Sequence, residues 1–236
     1  MCNSHNYTTF TVSPLHSIVT VTVYFFTSNT TIDVKFIKLL HDKESYAYIK
    51  GYPEGDARPN NNLTREEAAK IFYRILTNEA EEMFTVEEND YTDVSKERWS
   101  NVAISTLSNI GILTGFPDGT FKPAQTITRA EFSTIVYRFY NVKYSGADKF
   151  TDIAGHWAQN NINAIAAKGW IKGYEDSTFA PNKNITRAEA VTIINRLLER
   201  TYDAEKFVNS DCKFTDCCEN NWFYAEIMEA STGVIE

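Results

Sequence analysis

Thr64-Arg65-Glu66-Glu67, Thr128-Arg129-Ala130-Glu131 and Thr186-Arg187-Ala188-Glu189 are one block written three times, each copy thirteen residues after a glycine, Gly51, Gly115 or Gly173. A fixed spacing of this kind marks a repeat array, in which no unit buries its apolar face alone, so fold and function are both read per repeat. Within the block, Thr is a helix N-cap, and Glu at the third helical position reaches back to the cap amide, which makes a capping box. Behind each box the apolar positions agree: Ala68, Ile71, Phe72 and Ile75; Phe132, Ile135, Val136 and Phe139; Ala190, Ile193, Ile194 and Leu197. That spacing turns one helix face to a core. Arg74, Arg138 and Arg196 recur near the helix ends, where a cation meets the negative pole of the dipole.

Working outward, Trp99 to Tyr140 lies over Trp157 to Leu198 without a gap, and residues 51–76 overlay the second half of that unit. A front half also recurs: Tyr91-Thr92-Asp93 with Trp99 and Ile104, Phe150-Thr151-Asp152 with Trp157 and Ile162, Phe214-Thr215-Asp216 with Trp222 and Ile227. The front halves read as helices, with apolar residues Val102, Ile104, Leu107 and Ile110 running to Gly111, and Ala158, Ile162, Ile165 and Ala166 running to Gly169. Phe116-Pro117-Asp118-Gly119 and Tyr174-Glu175-Asp176-Ser177 read as tight turns. One turn carboxylate is far short of the oxygens that calcium needs.

The first repeat lacks its front half, and the chain ends on a front half without a back half. The two pieces complement each other, so the expectation is a ring of three in which the C-terminal piece packs beside the N-terminal one and covers both apolar ends. The expected division is residues 1–39, unassigned with one or two strands (Thr20-Val21-Thr22-Val23-Tyr24 alternates with period two); 40–90, the back half of the first repeat; 91–149, the second; 150–211, the third; and 212–236, the front half that completes the first.

Composition bounds the function. A net charge of −8 and a pI near 5.1 oppose nucleic-acid binding, which needs a basic face. The longest apolar run, Ile18 to Phe26, is too short to span a bilayer, so no membrane contact is expected. No Lys or Arg precedes Ile18, so a signal peptide is not evident; the start is atypical or the export signal lies outside this chain. The cysteines, Cys2, Cys212, Cys217 and Cys218, all lie outside the region from Tyr46 to Thr201, so disulfides do not hold the repeats, and zinc would need a fourth ligand. No nucleophile–base pair, metal-ligand set or phosphate loop recurs; neither catalysis nor a cofactor is expected. Asn62-Leu63-Thr64 and Asn184-Ile185-Thr186 match the glycosylation triplet, but their threonines already serve as caps.

Capping leaves Arg65, Arg129 and Arg187 unexplained, because a cation in the first turn faces the positive helix end. Two readings stand: with first-turn amides the guanidinium makes a site for a carboxylate or phosphate, or it pairs with a neighbouring repeat's acid, Asp93, Asp152 or Asp216. Trp99, Trp157 and Trp222 likewise read as core or as sugar platforms.

Phe150-Thr151-Asp152, Gly155-His156-Trp157-Ala158, Gly169-Trp170-Ile171, Gly173-Tyr174, Thr178-Phe179-Ala180-Pro181 and Ile185-Thr186-Arg187-Ala188-Glu189 together resemble an S-layer homology (SLH) repeat, and the resemblance covers about residues 46–232. It implies an all-α fold, three repeats in a pseudo-threefold arrangement around a central three-helix bundle, with grooves between repeats. It also implies a Gram-positive type of cell-wall or S-layer location outside the cell. The implied partner is an anionic, often pyruvylated secondary cell-wall polysaccharide linked to peptidoglycan, with a fused or neighbouring surface protein as cargo. By position, the implied ligand-binding residues are Arg65, Arg129 and Arg187; Asp93, Asp152 and Asp216; Trp99, Trp157 and Trp222; Gly51, Gly115 and Gly173. Glu66 puts an extra negative charge beside Arg65, and Glu175 and Ser177 alter the last turn, so the box of Arg129 is the most regular and is expected to serve the functional groove. The competing reading is a structural assembly module whose repeats mediate S-layer or inter-domain protein contacts.

Overall fold

A computed structural model of the chain describes residues 7–12, 19–24, 38–41, 47–202 and 214–232. The repeats are helical. Each box opens a helix: α1 is Arg65–Arg74, α4 Arg129–Tyr140 and α6 Arg187–Leu197, and all three capping boxes form, with Thr64, Thr128 and Thr186 accepting from the Glu67, Glu131 and Glu189 amides. A short α2, Asn78–Phe84, follows α1. The front halves give α3 (Asn101–Asn109), α5 (Gln159–Ala167) and α7 (Tyr224–Ser231). The first two end before Gly111 and Gly169, both at positive φ as a helix stop of this type requires. Outside the repeats, β1 (Tyr7–Val12) and β2 (Val19–Tyr24) pair antiparallel with Tyr7 opposite Tyr24.

The three box helices are tied at their N-termini by a closed cycle of backbone hydrogen bonds. Leu63 N–H donates to Ile185 C=O (2.9 Å), Ile185 N–H to Ile127 C=O (3.0 Å), and Ile127 N–H to Leu63 C=O (2.9 Å). The next layer continues the cycle, with Arg65 N–H on Gln125 C=O, Arg129 N–H on Lys183 C=O and Arg187 N–H on Asn61 C=O. A third layer places the Glu66, Ala130 and Ala188 amides on the carbonyls of Pro123, Pro181 and Pro59. Helix starts normally leave such donors without a partner inside the helix. Here the preceding loop of another repeat supplies the acceptors, so the first-turn amides anticipated as an anion site are already occupied.

Each front helix packs on the box helix before it in sequence: α3 on α1, α5 on α4 and α7 on α6. Each front half also grips the turn of the unit it belongs to. Asp93 accepts from the Phe121 and Lys122 amides (2.8 Å each), and Asp152 from those of Phe179 and Ala180 (2.7 Å each). Asp216 does the same across the chain ends, accepting from Ala57 and Arg58 at 2.7 and 2.8 Å. Tyr48 and Ile49 donate to Ala230 C=O, and the Tyr48 hydroxyl donates to Asn195 (2.6 Å) beneath α7. The C-terminal front half therefore seats on the N-terminal back half, as the complementary pieces imply. Phe72 of α1 stacks near Phe132 and Phe139 of α4 at 5.1 and 5.5 Å in the shared core.

Candidate functional site

Where a box helix meets the next unit, a groove opens, and three such grooves have similar volumes, about 200, 230 and 200 Å³. The Arg65 groove is lined by Gly115, Phe116, Glu131, Arg138 and Trp157; the Arg129 groove by Gly173, Tyr174, Glu189, Arg196 and Trp222; the Arg187 groove by Lys50, Tyr52, Glu67, Arg74 and Trp99. Each groove thus takes its arginine from one repeat, its turn from the next, and its tryptophan from the front half after that. The regular box of Arg129 consequently sits with the altered turn at Tyr174, and the regular turn at Phe116 sits with Arg65. A ranking of repeats is not a ranking of grooves.

The tryptophans are exposed rather than core. Trp99, Trp157 and Trp222 are 56, 64 and 63% exposed at the helix starts, while the apolar residues around them are buried. An exposed indole face is what a sugar ring stacks on. The glycines answer to packing: a Cβ at Gly51, Gly115 or Gly173 would overlap the ring of Phe214, Tyr91 or Phe150. These are the aromatic residues that open the front-half motif. Gly115 N–H donates to the Tyr91 hydroxyl (3.1 Å), a partner that Phe150 and Phe214 cannot supply.

The box arginines are buried and anchored. Arg65 Nε donates to Phe121 C=O (2.8 Å) and its Nη2 to Thr114 C=O (2.9 Å), and Arg129 Nε donates to Phe179 C=O (2.8 Å). Both guanidinium groups lie over aromatic rings, Arg65 over Phe116 and Phe121, Arg129 over Tyr174 and Phe179. Their acidic partners are Glu131 (3.6 Å) and Glu189 (3.2 Å). These are capping-box glutamates of the next repeat, not the front-half aspartates, whose oxygens the turn amides occupy. Asp93, Asp152 and Asp216 are therefore the supports of the groove wall, and the sequence reading missed the glutamates because capping already explained them. It also gave Arg138 and Arg196 only a dipole role, whereas they line the grooves and Arg138 reaches Ile112 C=O (3.0 Å).

Glu66 is not a free charge beside Arg65. It is buried and held by Arg98 through two 2.9 Å bonds and by the Ser100 hydroxyl at 2.7 Å. Its charge is compensated by that pair. Asp118 and Asp176 cap Thr120 and Thr178 within their turns, which agrees with a purely local role. Cys217 is buried and Cys218 exposed; Cys2 and Cys212 lie outside the described residues.

The model for the S-layer homology domain matches residues 44–69, 90–133 and 149–191, one segment in each repeat. The chain belongs to the S-layer homology family. It is 41% identical over 192 residues to the cellulosome-anchoring protein of Acetivibrio thermocellus, a match covering 79% of this chain and 42% of that protein. It is 40% identical over 204 residues to cell surface glycoprotein 1 of the same organism, covering 80% of this chain and 8% of the glycoprotein. An S-layer protein of Bacillus licheniformis is 32% identical over 175 residues, 71% of this chain and 19% of that protein. The chain therefore spans less than half the length of these relatives. No helix among the described residues is long and apolar enough to cross a membrane.

Proposed function

We propose that this S-layer homology module holds a surface protein on the bacterial cell wall, non-catalytically, by binding an anionic, pyruvylated secondary cell-wall polysaccharide in the grooves between repeats. One observation carries this reading: each of three grooves joins a buried guanidinium, a second arginine and an exposed indole. A carboxylate-bearing sugar presents one charge to the arginines and one apolar face to the ring. The names of the relatives, among them a cellulosome-anchoring protein and an S-layer protein, support attachment at the cell surface. Sedimentation with purified cell-wall sacculi tests it. The protein should pellet with intact sacculi, stay soluble once the secondary polymer is stripped, and release as salt rises.

The alternative, an assembly module for S-layer or inter-domain contacts, draws on the burial of Arg65, Arg129 and Arg187 among carbonyls and glutamates. Those arginines are structural in part, so their removal does not separate the two readings. The tryptophans do, because each is more than half exposed.

A further inference from the structure

The three grooves differ in charge in a way that the repeat pattern does not demand. Thr134 and Thr192 line the Arg65 and Arg129 grooves and turn their hydroxyls back to Ala130 C=O and Ala188 C=O. The residue in register in the Arg187 groove is Lys70. Lys70 stands one turn before Arg74 on α1, with Glu81 near it, and Lys50 lies across from it as Lys172 does in the Arg129 groove, so Lys70 is the cation that the Arg187 groove has in addition to its counterparts. Like charges at i and i+4 weaken a helix. Burial lowers the Lys70 pKa, and Arg74 and Lys50 lower it further against Glu81, as expected where positive potential accumulates.

Arg187 is also held less firmly than its counterparts. Arg65 and Arg129 each lie over two rings and place Nε on a carbonyl. Ala57 stands where they have Phe121 or Phe179, and Arg187 keeps only Tyr52 at 5.4 Å. It donates through Nη2 to Lys50 C=O (2.8 Å), and its buried Nε makes no hydrogen bond. A buried guanidinium N–H without an acceptor is costly and favours a ligand oxygen. On the opposite wall, the Arg98–Glu66 pair fixes the residue next to Trp99; the corresponding positions beside the other platforms are His156 with Ala130 and Asn221 with Ala188.

Resting on the carbohydrate reading above, we infer that the Arg187 groove takes a saccharide unit carrying two anionic groups, one on Arg187 and Arg74 and the second on Lys70, whereas the other two grooves take singly charged units. Each groove has its own indole, so nuclear magnetic resonance of the Trp99, Trp157 and Trp222 side-chain N–H groups reads them separately. The probes are a methyl glycoside carrying one pyruvyl ketal and the same glycoside with an added phosphate ester. Trp99 should titrate about tenfold more tightly with the second probe, the effect of one charge-assisted hydrogen bond. Lys70→Thr, which installs the residue found in the other grooves, should abolish that preference while leaving Trp157 and Trp222 unchanged. Thr134→Lys should confer the preference on Trp157. If the singly charged probe moves Trp157 and Trp222 but Trp99 shows no preference, or Lys70→Thr preserves it, this inference is overturned while the carbohydrate reading stands. If neither probe moves any of the three indoles, both readings fail together.

Discussion

Leu63 donates its amide to the carbonyl of Ile185 at 2.9 Å and so joins the first box helix to the last. Without that bond and the Arg187–Asn61 and Ala188–Pro59 bonds of the next layers, the remaining links would make an open chain of contacts. With them, each repeat has a neighbour on both sides, and damage to either end should propagate round the module.

Deleting residues 212–236 removes α7, the Asp216 clamp on Ala57 and Arg58, and the acceptor Ala230 for Tyr48 and Ile49. The truncated chain should melt well below the full one, with amide exchange accelerated first over residues 47–76. Asp216→Ala isolates one component and should cost about 1–3 kcal/mol, since two amides lose a charged acceptor. A truncated chain that melts like the full one excludes ring closure.

Trp157→Ala, Trp222→Ala and Trp99→Ala remove exposed rings, so each should change stability by under about 0.5 kcal/mol. Pelleting with sacculi should nevertheless weaken with each change and be lost in the triple variant. Unaltered binding in that variant would favour the assembly reading instead.

Arg129→Ala should impair both properties. It removes the donor to Phe179 C=O and the partner of Glu189 from a buried position, an expected loss of about 2–3 kcal/mol in chemical denaturation, together with reduced wall binding.

Acid should loosen the seam at the Arg187 groove. Burial raises the Glu67 pKa, but bonds from the Tyr52 hydroxyl and Thr64, with the charge of Arg187, outweigh it and leave the carboxyl below its ordinary value of 4.5. A group depressed on folding contributes stability that is fully present above its unfolded value and is lost as pH falls through the folded one. The melting temperature should therefore decline below about pH 4.5, and Glu67→Gln should show a shallower decline.

Ser177 adopts φ 66° where the second turn has Gly119 at 79° and the first has Gly55 at 82°. Ser177→Gly should relieve this and raise stability by roughly 0.5–1 kcal/mol, measured by thermal melting, after allowance for the freer unfolded chain.

The helices, capping boxes, helix-ending glycines and complementary halves were legible because each depends on residues close in sequence or on a fixed period. The grooves were legible only as an inventory. Arg129 and Trp222 meet because the repeats interlock, and no local pattern states which turn faces which box. Glu66 illustrates the same limit: its neighbour in sequence is Arg65, but its partners in space are Arg98 and Ser100. The aspartates of the front half belonged to the right neighbourhood, but the turn amides that they accept from were not visible as donors. The first-turn amides were misjudged for the converse reason, their acceptors arriving from another repeat.

Because Ala230 lies against Tyr48 and Ile49, one repeat is assembled from two segments far apart in sequence, residues 47–76 and 214–232. A permuted chain, with residues 214–232 placed ahead of residue 47 through a suitable linker and opened in the loop between Asn141 and Asp148, should assemble the same three box helices in a different order of synthesis.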